Sequence, residues 1–295
     1  MAVAGRTPPE AALAVVVVHL SEMGTHSRQS LDRLTSDMSL FVARLAVIGV
    51  AELREVTRAQ VVDFIDEPLR IDRYVFRDPS LGTRHFRRSA VRLFFKAARA
   101  LGLCDHDPTM DIDLARRSER HARPLTDAEV AAGEAASLWT LDLTRLPAAW
   151  ALGEATAVSA EIANAQIGDA DLDNSRVWLR GPAKRTPRWG PLTDWGVEAL
   201  QRRIKSLKTD DPRAGLVYGG TASGKSGPSA VCSAIHEVMV LGGLNRKPDV
   251  RPLSLSAWAG MKEFERSGRI ENVAKVLGLT TLDRAAGAIC WDWQS

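Results

Sequence analysis

The chain has 295 residues, 45% of them hydrophobic, and its 39 basic and 36 acidic side chains leave a net charge of +3; this is the composition of a soluble globular protein long enough for two domains, not of a disordered chain. Three widely spaced cysteines, Cys104, Cys232 and Cys290, are odd in number, which argues against a disulfide framework and for a reducing compartment. The apolar run Ala11–Leu20 is ten residues long and has neither a basic leader nor a small-residue cleavage site, so no signal peptide, membrane span or membrane partner is expected and the expected location is cytoplasmic.

In chain order, residues 1–26 read as an N-terminal extension. From about Ser27 to Ile48, apolar Leu31, Leu34, Met38, Phe41, Val42 and Leu45 recur at the spacing of an amphipathic helix. Val56-Thr57 opens a second helix, with Thr57 as cap and Val61, Val62, Phe64 and Ile65 inside. A polar stretch around Asp78-Pro79 leads to a third helix, from about Gly82 to Gly102. Its apolar Val91, Phe94, Phe95 and Ala98 alternate with Arg84, Arg88, Arg92 and Lys96, whose four-residue spacing puts the cations on one face. Six basic residues (Arg84, Arg87, Arg88, Arg92, Lys96 and Arg99) and no acid occur in this span. A solvated charged face is the plain alternative; with no acids to pair with, a helix directed at phosphates is favoured. Residues 105–122 lack apolar periodicity and include Arg116-Arg117-Ser118-Glu119-Arg120. They read as exposed linker, with a helical domain over 27–110, a basic linker over 111–122 and a second domain over 123–295.

The second domain opens at Arg123-Pro124-Leu125-Thr126, where Thr126 and Glu129 have the spacing of a capping box and Leu125 that of a staple. One Ala-rich helix is expected over roughly Pro147 to Ala165. Ile167–Leu172 then leads into a strand at Arg176–Leu179, and a turn bearing Lys184, Arg185 and Arg188 returns to Trp189-Gly190-Pro191-Leu192 as a β-hairpin. Thr193-Asp194 caps a helix to about Leu207. Between Arg176 and Lys208, nine basic residues stand against two acidic ones, the local excess that a polyanion would select. Helices near 228–242, 255–267 and 270–277 and a segment with Trp291 and Trp293 complete the chain. The fold class is therefore mainly α with a small β-hairpin or sheet, in two domains.

Gly219-Gly220-Thr221-Ala222-Ser223-Gly224-Lys225-Ser226 fits the phosphate-loop pattern letter for letter. In that motif the helix starts near the second glycine, which would put Pro228 inside it, where proline lacks the needed N–H and clashes at a cost of roughly 3 kcal/mol or more. A helix starting at Pro228, capped by Ser226 or Gly227, fits the residues better, and no apolar strand ends in an aspartate that would hold Mg²⁺. Asp169, Asp171 and Asp173 begin like a calcium loop, but Asn174 and Arg180 stand where glycine and glutamate are needed. Cys104, His106 and His121 lack paired zinc-ligand spacing, and Ser254 and Ser256 have no His–Asp pair in sequence. No metal or other cofactor is expected. Trp150 and Trp258 read as core, whereas Trp189 in the basic hairpin is the tryptophan placed to stack on a base.

The order of these elements resembles the tyrosine recombinases, or phage-type integrases, over about nine-tenths of the chain. Residues 27–110 are similar to their all-α core-binding (SAM-like) domain, with Val50–Thr57 matching the entry to its second helix. Arg123-Pro124-Leu125-Thr126, Glu161-Ile162, Asp169-Ala170-Asp171-Leu172, the hairpin with Lys184, and Val276-Leu277-Gly278 follow the catalytic domain. The resemblance implies a clamp on duplex DNA, and a tyrosine nucleophile assisted by two arginines, a lysine and two histidines or a histidine and tryptophan. In this register the first arginine is Val158, the His-x-x-Arg pair is Leu253 and Ser256, the second histidine is Leu279, and the nucleophile falls at Ala288 or Ile289. The only tyrosines are Tyr74 and Tyr218, and no histidine follows His236. Lys184 alone matches. The reading is a noncatalytic DNA-binding protein contacting double-stranded DNA through Arg84, Arg87, Arg88, Arg92, Lys96, Arg99, Lys184, Arg185 and Arg188, with itself or an active recombinase as protein partner. By the same resemblance the C-terminal tail would dock on a neighbouring protomer. An integrase with an atypical site, a phosphate-loop protein using Gly219–Ser226 and a pure protein-interaction scaffold are the competing readings.

Overall fold

The computed structural model describes residues 7–26, 28–115, 122–139, 144–182, 185–219 and 226–292, and the chain divides into two units, Met1–Glu119 and Arg120–Ser295. No helix among the described residues is long and apolar enough to cross a membrane.

Unit 1 contains α1 (Pro9–Glu22), α2 (Arg28–Val47), α3 (Arg58–Asp66), the two-stranded β1 (Leu69–Arg70) and β2 (Phe76–Arg77), and α4 (Leu81–Ala100). Four-residue spacing in α1 aligns Ala12, Val16 and Leu20, all buried in the unit's core. Within the stretch expected to be an extension, α1 is thus a core helix. Thr57 caps α3 through a complete capping box with Gln60. Phe41 from α2, Phe64 from α3 and Phe94 and Phe95 from α4 are fully buried, with ring centroids 5.2–6.4 Å apart. Residues 105–115 also differ from the expected exposed linker. Ile112 is buried in this core, Arg88 donates to Ile112 O, and His106 Nε2 lies 3.0 Å from Val56 O. Leu114 also packs on this core, but its spacing with Ile112 is too short a run to read as a helix, and the hydrogen bonds leave no periodic trace in sequence.

Unit 2 comprises α5 (Asp127–Ser137), α6 (Arg145–Glu154), α7 (Ser159–Asn164), β3 (Ala170–Asp171), β4 (Arg176–Leu179), β5 (Arg188–Pro191), α8 (Asp194–Leu207), α9 (Ser226–Leu241), α10 (Leu253–Ser267), α11 (Ile270–Leu277) and α12 (Leu282–Ala288). The strands form one antiparallel sheet in the order β3-β4-β5, with Trp178 opposite Trp189. The capping box at Thr126 and Glu129 is formed, and Thr193 caps α8. Trp150 is fully buried at the centre of the core, so close to α5 that a Cβ at Gly133 would collide with its ring. The single helix expected over Pro147–Ala165 is instead α6 and α7, broken at Ala155–Val158, where Thr156 has φ +72°. α9 begins at Ser226 with Pro228 in its first turn, where a missing N–H has no helical partner to lose; Gly220–Lys225 lie outside the described residues. A smaller cluster of Ile270, Val273, Ala274, Leu277, Ala285, Ala286 and Ile289 joins α11 and α12. Trp291 packs on Phe264 with ring centroids 5.2 Å apart, so the tail as far as Trp291 is seated on its own unit.

Candidate nucleic-acid interface

Ser80 caps α4 by accepting from Thr83 N, and the helix then buries Ala90, Val91, Phe94, Phe95, Ala97 and Ala98. What remains outward carries the cations, but they are not equivalent. Arg87 is 5% exposed and directs Nη1 at Phe64 O, Ile65 O and Glu67 O at 3.0, 3.2 and 2.6 Å. It closes the open carbonyl end of α3 and is not positioned for phosphate. Arg84 pairs with Asp66 at 3.0 Å, Arg99 with Asp107 at 2.7 Å, and Arg88 donates to Ile112 O at 2.8 Å. The acids missing from the helix are supplied by neighbouring segments, which sequence proximity alone did not reveal. Among the described residues, Arg92 and Lys96 are exposed and have no hydrogen-bond or ion-pair partner. One helical turn apart, they share a face.

The hairpin cations of unit 2 divide in the same way. Lys184 lies outside the described residues. Arg188, expected on DNA, is 8% exposed: its guanidinium faces the Glu161 carboxylate at 2.7 and 3.2 Å, Nη2 donates to Thr156 O at 2.9 Å, and Nε donates to Val276 O at 2.8 Å. The Thr156 hydroxyl donates to Val276 O in turn. Arg185 donates to Leu277 O, and its pKa is pulled below the ordinary arginine value by burial, with the charge of Arg188 adding to the effect. Thr186 N donates to Gly278 O, and a Cβ at Gly278 would collide with Arg188. The hairpin is therefore fastened between the α6–α7 break and the end of α11, with its arginines consumed as anchors. Arg176 pairs with Asp171 and lies 4.3 Å over the Trp189 ring, which is 43% exposed. Arg180 pairs with Asp169. These contacts neutralise much of the basic excess between Arg176 and Lys208; Arg202, Lys205 and Lys208, at the end of α8, are exposed and unpaired among the described residues.

The register positions of the resemblance have equally specific surroundings. Val158 precedes α7, and its N–H donates to Glu161. Leu253 is 49% exposed at the start of α10, and Ser256 is buried, donating to Leu253 O at 3.1 Å. Leu279 and Ala288 pack against the α11–α12 cluster. Tyr218 contacts the Ser226 hydroxyl at 2.9 Å, and Tyr74 belongs to unit 1. Asp169 and Asp171, part of the calcium-like run, are engaged by Arg180 and Arg176. Among the described residues no group of three His, Cys, Asp or Glu is arranged to hold a metal.

No protein-family model and no curated protein sequence matches this chain. Solved structures do. A lambda integrase dimer bound to a COC' core site superposes with a TM-score of 0.72 at 14% identity, covering 97% of this chain and 78% of that one. The Tn1549 transposon integrase in complex with a circular intermediate DNA gives 0.61 at 13% identity, covering 96% and 95%. The XerH site-specific recombinase bound to a palindromic difH substrate gives 0.61 at 13% identity, covering 90% and 77%.

Proposed function

We propose that this chain, which has the fold of the tyrosine recombinases and integrases, binds duplex DNA without cutting it and acts as a regulatory or architectural factor. The observation that carries the noncatalytic reading is the content of the site. Apart from Lys184, which matches, the register positions of the charged set hold Val158, Leu253, Ser256 and Leu279, and that of the nucleophile holds Ala288 or Ile289; Leu279, Ala288 and Ile289 serve as apolar packing. Covalent cleavage needs a nucleophile on phosphorus and cations to offset the developing charge; neither is present at these positions.

DNA contact rests first on Arg92 and Lys96, whose charges are unneutralised. Arg84, Arg88 and Arg99 add to this face because their side chains are only partly shielded, and each can exchange its present partner for a phosphate. In unit 2, the exposed Arg202, Lys205 and Lys208 are the cations assigned to DNA. Arg87 and Arg188 are removed from the interface and assigned to holding it in shape. The protein partner is a second copy or an active recombinase on the same DNA; lambda integrase is a dimer on its core site and a tetramer on a Holliday junction.

The test is binding to random-sequence duplexes across a salt series. An affinity that falls steeply and linearly in log–log form is expected. Absence of binding at low salt, or binding insensitive to salt, would remove the reading.

A further inference from the structure

The two-stranded ribbon Leu69–Arg77 between α3 and α4 has no place in the core and no counterpart in the expectations from sequence. Its register pairs Leu69 with Arg77 and Arg70 with Phe76, and Ile71 N donates to Val75 O at 2.8 Å. Opposed residues in an antiparallel pair share a face, and successive pairs alternate. One face therefore carries Arg77, Ile71, Val75 and the half-buried Leu69, and the other Arg70 and Phe76, with Arg73 and Tyr74 at the tip. Both faces are open to solvent: Ile71 is 56%, Val75 53%, Phe76 61% and Tyr74 80% exposed. An isolated two-stranded hairpin is marginal in water, and a structural one buries one face. This ribbon buries neither, yet its root is fixed. Arg87 holds the three carbonyls where the chain leaves α3, and Pro79 is buried where it enters α4.

Three arginines against the single Asp72 identify the occupant. Asp72 is occupied in the turn, accepting from Arg73 N at 2.6 Å, and Arg73 leans over the Tyr74 ring at 5.4 Å. Pairing with a second copy would stack arginine on arginine, whereas a phosphate-lined groove complements the charge on both faces at once. A major groove about 12 Å wide admits a two-stranded ribbon. We infer that the Leu69–Arg77 ribbon is a DNA-reading arm that enters the major groove, its arginines on flanking phosphates and its exposed Tyr74 and Phe76 against base edges. This rests on the DNA-binding reading above.

The experiment uses the full chain and a random-sequence duplex, with a second duplex carrying 5-iodouracil, whose iodine projects into the major groove. R70A/R73A/R77A is expected to weaken binding about tenfold or more and to lower the log–log salt slope by about one per arginine. R70K/R73K/R77K, which keeps the charge, is expected to restore most of that slope. Light is expected to crosslink the iodinated duplex to the peptide containing Tyr74 and Phe76. All the substituted side chains are exposed, and an unchanged far-ultraviolet dichroism spectrum and melting temperature verify the fold. Undiminished binding by the alanine variant, with crosslinks only elsewhere, overturns the arm while leaving DNA binding by the rest of the protein intact. Loss of a wild-type dimer in R70A/R73A/R77A at unchanged DNA affinity overturns it in favour of self-pairing. A wild type that binds no duplex overturns both readings.

Discussion

At the scale of single residues, two of the arginines a charge count places on DNA, Arg87 and Arg188, are buried anchors of the fold. Arg188 shares a buried ion pair with Glu161, whose side chain is 1% exposed, so removing either partner strands a charge away from water. Arg188→Ala is expected to destabilise unit 2 by about 3–5 kcal/mol, read by urea unfolding. Glu154 makes a second residue-level prediction. It is 3% exposed, accepts from Thr193 at 2.9 Å, and its pKa is raised to about 8 by burial and by the nearby Glu134 carboxylate. The native state thus holds a proton that the unfolded chain releases near the ordinary glutamate value. This favours folding fully at acid pH and is lost progressively as pH rises toward 8. Melting temperature is expected to fall across that window, and Glu154→Gln is expected to flatten the decline. An equally steep decline in the variant would exclude Glu154 as its origin.

At the scale of elements, α4 has two sides with separable roles. Its inner side, with Phe94 and Phe95, is core; its outer side leaves Arg92 and Lys96 free. R92A/K96A is expected to change stability by less than about 0.5 kcal/mol while reducing the DNA-binding salt slope by about two. Measuring both on one preparation separates a contact from a fold defect, and an unchanged slope would take this face out of the interface. The limits of α2, α4 and α8 and the starts of α3 and α5 were legible because apolar periodicity and local caps set them; Thr57, Thr126 and Thr193 act within three residues of themselves. The break between α6 and α7 was not legible. Thr156 takes its positive φ beside Arg188, 32 residues away, and an Ala-rich sequence alone predicts an unbroken helix. The Leu69–Arg77 ribbon was missed because its exposed apolar residues do not alternate against a core.

At the scale of the whole molecule, the fold is that of integrase structures solved on a core site, a transposon circular intermediate and a Holliday junction, and the noncatalytic reading proposed above can be tested directly. Incubation with a nicked suicide duplex is expected to give no protein–DNA species that survives denaturation. A covalent adduct would establish an unconventional nucleophile, with mass spectrometry of the labelled peptide identifying it.

The sequence by itself determined the fold class, many helix limits, the order of elements that resembles the recombinases, and the presence of only two tyrosines, Tyr74 and Tyr218, because these depend on local periodicity, capping and residue identity. Tertiary structure alone decided which cations are available. Burial and partners distant in sequence converted Arg87 and Arg188 into anchors and found acids for Arg84 and Arg99, since an arginine's role is set by the oxygen nearest its guanidinium, and folding chooses that oxygen.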